Sequence, residues 1–189
     1  MVYINSPLII LYSVLAVVLF FIDNVTGNAL GSILILHSQF DTCSITDYIS
    51  LFTYTLGHAD INHLMGNFSF ILLLGPILEE KYGFWRLLMM MIFTAVITGI
   101  INLIISPNGL LGASGIVFMF IILTSVANRK KGKVPITLIA VVLLYLGREV
   151  MHLFQPNNVS ELAHIIGGIL GGVIGLFNLF GSKKETSVV

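Results

Sequence analysis

Six apolar runs, cut apart by short charged or turn-forming segments, constrain this chain more than any other feature. A helix needs about 20 mostly apolar residues to cross a bilayer. Six stretches meet or approach that length: residues 7–22, 61–80, 85–105, 110–127, 134–151 and 161–180. The breaks fall around Glu79-Glu80-Lys81, Ser106-Pro107-Asn108-Gly109, Asn128 to Lys133 and Gln155-Pro156-Asn157-Asn158, the residue types that interrupt helices. Between the first two runs lies a long segment whose own apolar stretch, 29–36, is too short to cross and is expected to rest partly in the interface.

Composition names the solvent. Hydrophobic residues make up 57% and charged residues 10% of the chain, with a mean hydropathy of +1.00. A soluble domain carries roughly a quarter charged residues, and this much apolar surface exposed to water would aggregate. With no internal repeat and no low-complexity tract, the simplest organisation is one membrane domain over residues 1–189, an all-α bundle of six transmembrane helices. The net charge is zero and no basic stripe is present, so no nucleic-acid partner is expected. Cys43 is the only cysteine, which excludes an internal disulfide and a multi-cysteine metal site. The N-terminal run has neither the basic flank nor the small-residue cleavage pattern of a secretory signal, and reads as a retained span. Neither end carries a lipidation signature.

Basic residues stay on the cytoplasmic side of membrane proteins. Lys81 and Arg86 follow the second run, Arg129, Lys130, Lys131 and Lys133 the fourth, and Lys183 and Lys184 the sixth, so eight of the nine basic residues share one side. Arg148 is the exception, with Glu149 beside it. Asp23, Asp41, Asp47, Asp60 and Glu161 lie on the other side. Both termini are therefore expected in the cytoplasm.

Polar groups inside spans are costly and ask for a reason. Counting 1.5 Å per residue from the outer ends of their spans, His63 and His164 lie roughly 5 Å in, Ser114 about 7 Å and Asn67 roughly 10 Å. The charge rule thus places four polar side chains in one leaflet at similar depth. His63 and Asn67, four apart, share a helix face. His164 shares its face with Gly167, Gly168, Gly171, Gly172 and Gly175, a stripe that lets helix backbones approach closely in lipid. Gly112, Ala113, Ser114 and Gly115 offer matching small residues. Packing that close would bring an imidazole to a serine hydroxyl, and a hydroxyl needs such a base to become a nucleophile. A Gly-x-Ser-Gly string alone carries little, since chance would produce one in about ten such sequences.

The set becomes specific when read together. His63-Leu64-Met65-Gly66-Asn67 with Gly75-Pro76-Ile77-Leu78-Glu79, then Gly112-Ala113-Ser114-Gly115, then Ala163-His164 with Gly167 and Gly171, resembles the motifs of the rhomboid family of intramembrane serine proteases, in family order on the second, fourth and sixth spans. The resemblance runs from about residue 51 to 180. It implies Ser114 as nucleophile and His164 as general base, with an oxyanion hole made by Asn67, the Ser114 backbone N–H and His63. It also implies structural roles for Glu79, Gly112, Gly115, Phe118, Gly167 and Gly171, and requires no metal or cofactor.

Two departures stand out. Ile49 and Ser50 occupy the place where the family often has Trp-Arg, and Phe118 stands where it often has a tyrosine packed on the catalytic histidine. Glu161 is expected at the aqueous edge, which favours a dyad over a triad. His58 and His152 are expected to be interfacial or structural, and His37 is given no role. The implied substrates are single-span proteins of the lipid bilayer, cleaved near their outer ends, with residues 151–160 as a lid. A catalytically silent client-binding protein of the same fold is the alternative. A transporter would place charges near mid-membrane, and a metalloprotease would need a His-Glu-x-x-His helix; neither is present.

Overall fold

The computed structural model describes residues 5–127, 133, 135–146 and 161–181. Helices dominate: α1 Pro7–Val25, α2 Gly31–Leu34, α3 Ile45–Thr53 continued by the 3₁₀ turn Tyr54–Leu56, α4 Ile61–Tyr82, α5 Phe84–Ile105, α6 Ser114–Ala127, α7 Ile136–Val141 leading into the π-helical Val142–Leu146, and α8 Glu161–Phe177. Among the described residues the strand-like pairing is a single antiparallel bridge, Leu36 with Leu110. The fold is an all-α membrane bundle.

Helices α1, α4 and α5 are long and apolar enough to cross a membrane. On α1, Leu8, Ile9, Ser13, Ala16 and Phe20 are buried while Leu11, Val14, Leu15, Val18 and Phe21 stay exposed. An apolar helix with one face packed on protein and the other left bare is suited to lipid. Helix α6 is the opposite case. Every residue from Gly115 to Leu123 is buried, so α6 is the central element and its neighbours shield it from lipid.

The fourth apolar run differs from expectation. Helix begins at Ser114 rather than at residue 110, because the preceding segment is held extended. Leu110 exchanges two backbone hydrogen bonds with Leu36, at 2.9 and 2.8 Å, and the Gly112 N–H donates to the Tyr54 carbonyl at 2.9 Å. Gly112 has φ +109, outside the range of a right-handed helix. The short run at 29–36 is packed into the bundle at this point, with Leu34 and Leu36 buried. Helix α1 runs on to Val25 and α4 to Tyr82, each slightly past its expected end. Of the fifth run, residues 147–151 lie outside the described residues, as do the proposed lid at 151–160, Arg148, Glu149 and His152.

Glu79 explains how α1 is anchored. Ser6, at the N-cap, makes no side-chain cap. Instead the buried Glu79 carboxylate accepts from the Leu8 and Ile9 N–H groups at 3.0 and 3.1 Å. Those donors have no partner inside their own helix, and a helix N-terminus favours negative charge. One turn earlier on α4, a Cβ on Gly75 would come within 2.6 Å of the Ile9 side chain, so Gly75 sets how closely α1 can approach.

Candidate active site

Three helices bring their N-terminal turns to one place. Asp60 caps α4 by accepting from the His63 N–H at 2.9 Å, which fixes His63 in the first turn, with Asn67 one turn further on. Ser114 opens α6, and His164 lies in the first turn of α8. The first backbone N–H groups of a helix have no internal acceptor, and together with the dipole they favour an anion.

The α6–α8 contact is the most extensive between helices among the described residues, and it is made by backbones. A Cβ on Gly167 would collide with the Gly115 backbone, whose Cα is 2.9 Å from that position. One on Gly171 would lie 2.5 Å from the Met119 carbonyl oxygen, and one on Gly175 would strike Val126. Gly167, Gly171 and Gly175 therefore form the packed edge of the glycine stripe, at a spacing of four. The small residues around Ser114 divide between two neighbours: Gly115 faces α8, whereas Gly112 faces α4.

This packing lays the buried His164 ring flat on Phe118, with centroids 4.4 Å apart and planes 7° from parallel. Phe118 is one turn beyond Ser114 on the same face of α6, so the ring lies against the face that carries the half-buried serine. Ser114 Oγ and the His164 ring are not joined by a hydrogen bond among the described residues. Catalytic contacts are often long before substrate binds. Phenylalanine supplies the stacking face here, with no hydroxyl required.

Gly112 forms the floor beside Ser114. A Cβ there would lie 2.6 Å from both His63 Cε1 and Nε2, and 3.5 Å from Asn67 Nδ2. The position thus demands glycine twice, for its backbone angle and for the space the His63 ring takes up. The rings of His63 and His164 are close enough to interact electrostatically. His63, Asn67, Gly112, Ser114, Phe118 and His164 come together around one small region.

One expectation is corrected here, for Glu161, and one is made specific, for His58. Glu161 is buried, not at the aqueous edge, because the Gly115–Gly167 contact draws the first turn of α8 into the bundle; exposure is not what separates it from His164. His58, expected to be interfacial or structural, is buried within the site. Its Nδ1 is 3.2 Å from the Leu56 carbonyl, its Nε2 is 3.0 Å from Asn67 Nδ2, and its ring packs edge-on to His63 at 4.9 Å and to Phe68 at 5.6 Å. Burial, then the neighbouring His63, pulls its pKa down to about 4. Helical periodicity could not have found His58, because it precedes the Asp60 cap and belongs to no helix face. The remaining signal was a histidine set next to a helix start. His37, exposed in the loop, takes no part. Among the described residues no group of three or more His, Cys, Asp or Glu side chains could hold a metal ion.

The model of the rhomboid domain family matches residues 46–180. Rhomboid-related protein 1 of Caenorhabditis elegans is 32% identical over 148 residues, which are 70% of this chain and 41% of that protein, so the chain spans well under half of that relative.

Proposed function

We propose that this chain, which belongs to the rhomboid family, is an intramembrane serine endopeptidase that cleaves transmembrane segments of single-span proteins through a Ser114–His164 dyad. The family includes serine proteases. The observation that carries the reading is the His164 ring stacked on Phe118 one turn beyond Ser114, opposite the donors of α4.

In this reading Ser114 Oγ attacks the scissile carbonyl carbon and its proton passes to His164. The carbonyl oxygen becomes an oxyanion that accepts from the Ser114 N–H, Asn67 Nδ2 and the His63 ring, at the positive end of α6. Collapse of this intermediate breaks the C–N bond as His164 gives the proton to the departing amine. Water, activated by the same imidazole, then releases the acyl group from Ser114. The stacked Phe118 holds the imidazole in place, so no third carboxylate is needed to orient it.

A transmembrane helix hides its carbonyls in internal hydrogen bonds, so substrates with small or helix-breaking residues at the cleavage point react best. The chain is a multi-pass membrane protein; by the distribution of its basic residues, both termini face the cytoplasm and the site opens outward. The alternative is a catalytically silent, client-binding protein of the same fold. Labelling of detergent-purified protein with a fluorophosphonate probe decides between them. Wild type is expected to label, and Ser114→Ala and His164→Ala not to. Equal labelling of wild type and Ser114→Ala would refute the dyad.

A further inference from the structure

His58 is a buried polar group at the site that the proposed mechanism leaves unused. We infer that His58 is a positioning residue that sets the amide of Asn67 with its nitrogen, and not its oxygen, toward the Ser114 site. The inference rests on the reading of Asn67 as an oxyanion donor.

The Leu56 carbonyl fixes which nitrogen of His58 carries the proton. A carbonyl oxygen can only accept, so His58 Nδ1, 3.2 Å away, must carry a proton. Burial keeps the ring neutral at ordinary pH. A neutral imidazole has one N–H, so Nε2 is left with its lone pair and can only accept. The atom of Asn67 that faces Nε2 at 3.0 Å is therefore Nδ2, the half of the amide that donates. Which way an asparagine points is normally settled by its hydrogen-bond network, and here the chain of constraint runs from a backbone carbonyl through the imidazole to the amide.

The consequence reaches the reaction. Asn67 Nδ2 has two hydrogens, and His58 takes one. The same nitrogen lies 3.5 Å from the position of a Gly112 Cβ, so the amide presents its donor end to the turn that leads into Ser114. With the amide reversed, Oδ1 would occupy that place, and its lone pairs would oppose the developing oxyanion. The edge-on contacts of His58 with His63 and Phe68 hold the imidazole itself in place.

The test is a mutant cycle in detergent-solubilised full chain: His58→Phe, His58→Gln and Asn67→Ala, plus the double variant His58→Phe/Asn67→Ala. It reads kcat and KM on a fluorogenic transmembrane peptide, with thermal unfolding measured alongside. Losing one oxyanion donor costs about 10²–10³ in kcat. His58→Phe, which keeps a ring without the acceptor, is expected to lower kcat by about tenfold to a hundredfold with KM little changed. His58→Gln can present an acceptor oxygen and should recover most of that loss. In the Asn67→Ala background, His58→Phe should add no further loss.

Equal losses from His58→Phe with and without Asn67 would overturn the inference, since His58 would then act only through the fold. A second measurement needs neither activity nor a variant fold. ¹⁵N NMR of histidine-labelled wild type should show His58 protonated on Nδ1 and bare on Nε2, and the opposite tautomer would also sink the idea. If wild type takes no fluorophosphonate at Ser114 while His58 shows the expected tautomer, it is the hydrolase reading that fails, and this role falls with it.

Discussion

The two flanks of the candidate site are built by different physics. On the α4 side, Asp60, His58, His63 and Asn67 are held by directed hydrogen bonds and edge-on ring contacts. On the α8 side, glycines remove side chains so that backbones touch, and His164 is held by a flat aromatic stack. Lipid offers helices no hydrophobic drive to associate, so close packing of small residues must supply the attraction. The α8 flank therefore couples the site to the stability of the bundle. The α4 flank can be disturbed with less damage to the fold.

The strongest way to break this contrast is Gly167→Ala. A methyl group there meets the Gly115 backbone, which has no flexible end to move aside. Overpacking of this kind costs about 3 kcal/mol, and unfolding in mixed micelles should show a loss of that size together with loss of activity. A loss below about 1 kcal/mol would mean that α6 and α8 can separate cheaply.

Gly112→Ala probes the other flank. The left-handed backbone penalty is about 1–2 kcal/mol, while the added methyl would push on the His63 ring. A misplacement near 1 Å can cost about a hundredfold in rate, so the rate of Ser114 labelling should fall by more than the unfolding energy accounts for. Proportionate losses would erase the distinction between the flanks.

The smallest effect is a dependence on pH confined to the α4 side. His58 titrates at about 4 in the folded protein against an ordinary 6.5, through burial first and His63 second, with Asp60 and the Leu56 carbonyl opposing. The unfolded chain therefore binds a proton between those values that the folded chain does not. Folded stability should be unaffected above pH 6.5 and decline as pH falls toward 4. His58→Gln should flatten this slope, measured by unfolding at several pH values; an unchanged slope would assign it to other groups.

Much of the site was legible along the chain because its members sit on helices, where spacing reports direction. His63 and Asn67 share a face at a spacing of four, and the stripe after His164 marks where a neighbouring backbone can approach. What could not be read came from contacts between distant segments. His58 touches Asn67 across a helix cap. Glu161 is buried by packing that begins at Gly115. The start of α6 is set by Leu36 and Tyr54, 74 and 58 positions before their partners Leu110 and Gly112.

By itself, the sequence determined the solvent, the apolar runs and the residue types able to carry the chemistry, because hydropathy and helical period are local properties that do not depend on the fold. Tertiary structure alone decided that α6 is the enclosed helix and α1 a lipid-facing one, though both are about equally apolar. It also decided that Gly112 turns out of the helical range, that Glu79 caps a helix other than its own, and that His58 directs an amide. Each of these is a hydrogen bond or a steric limit between residues far apart in the chain, and none leaves a trace in local spacing.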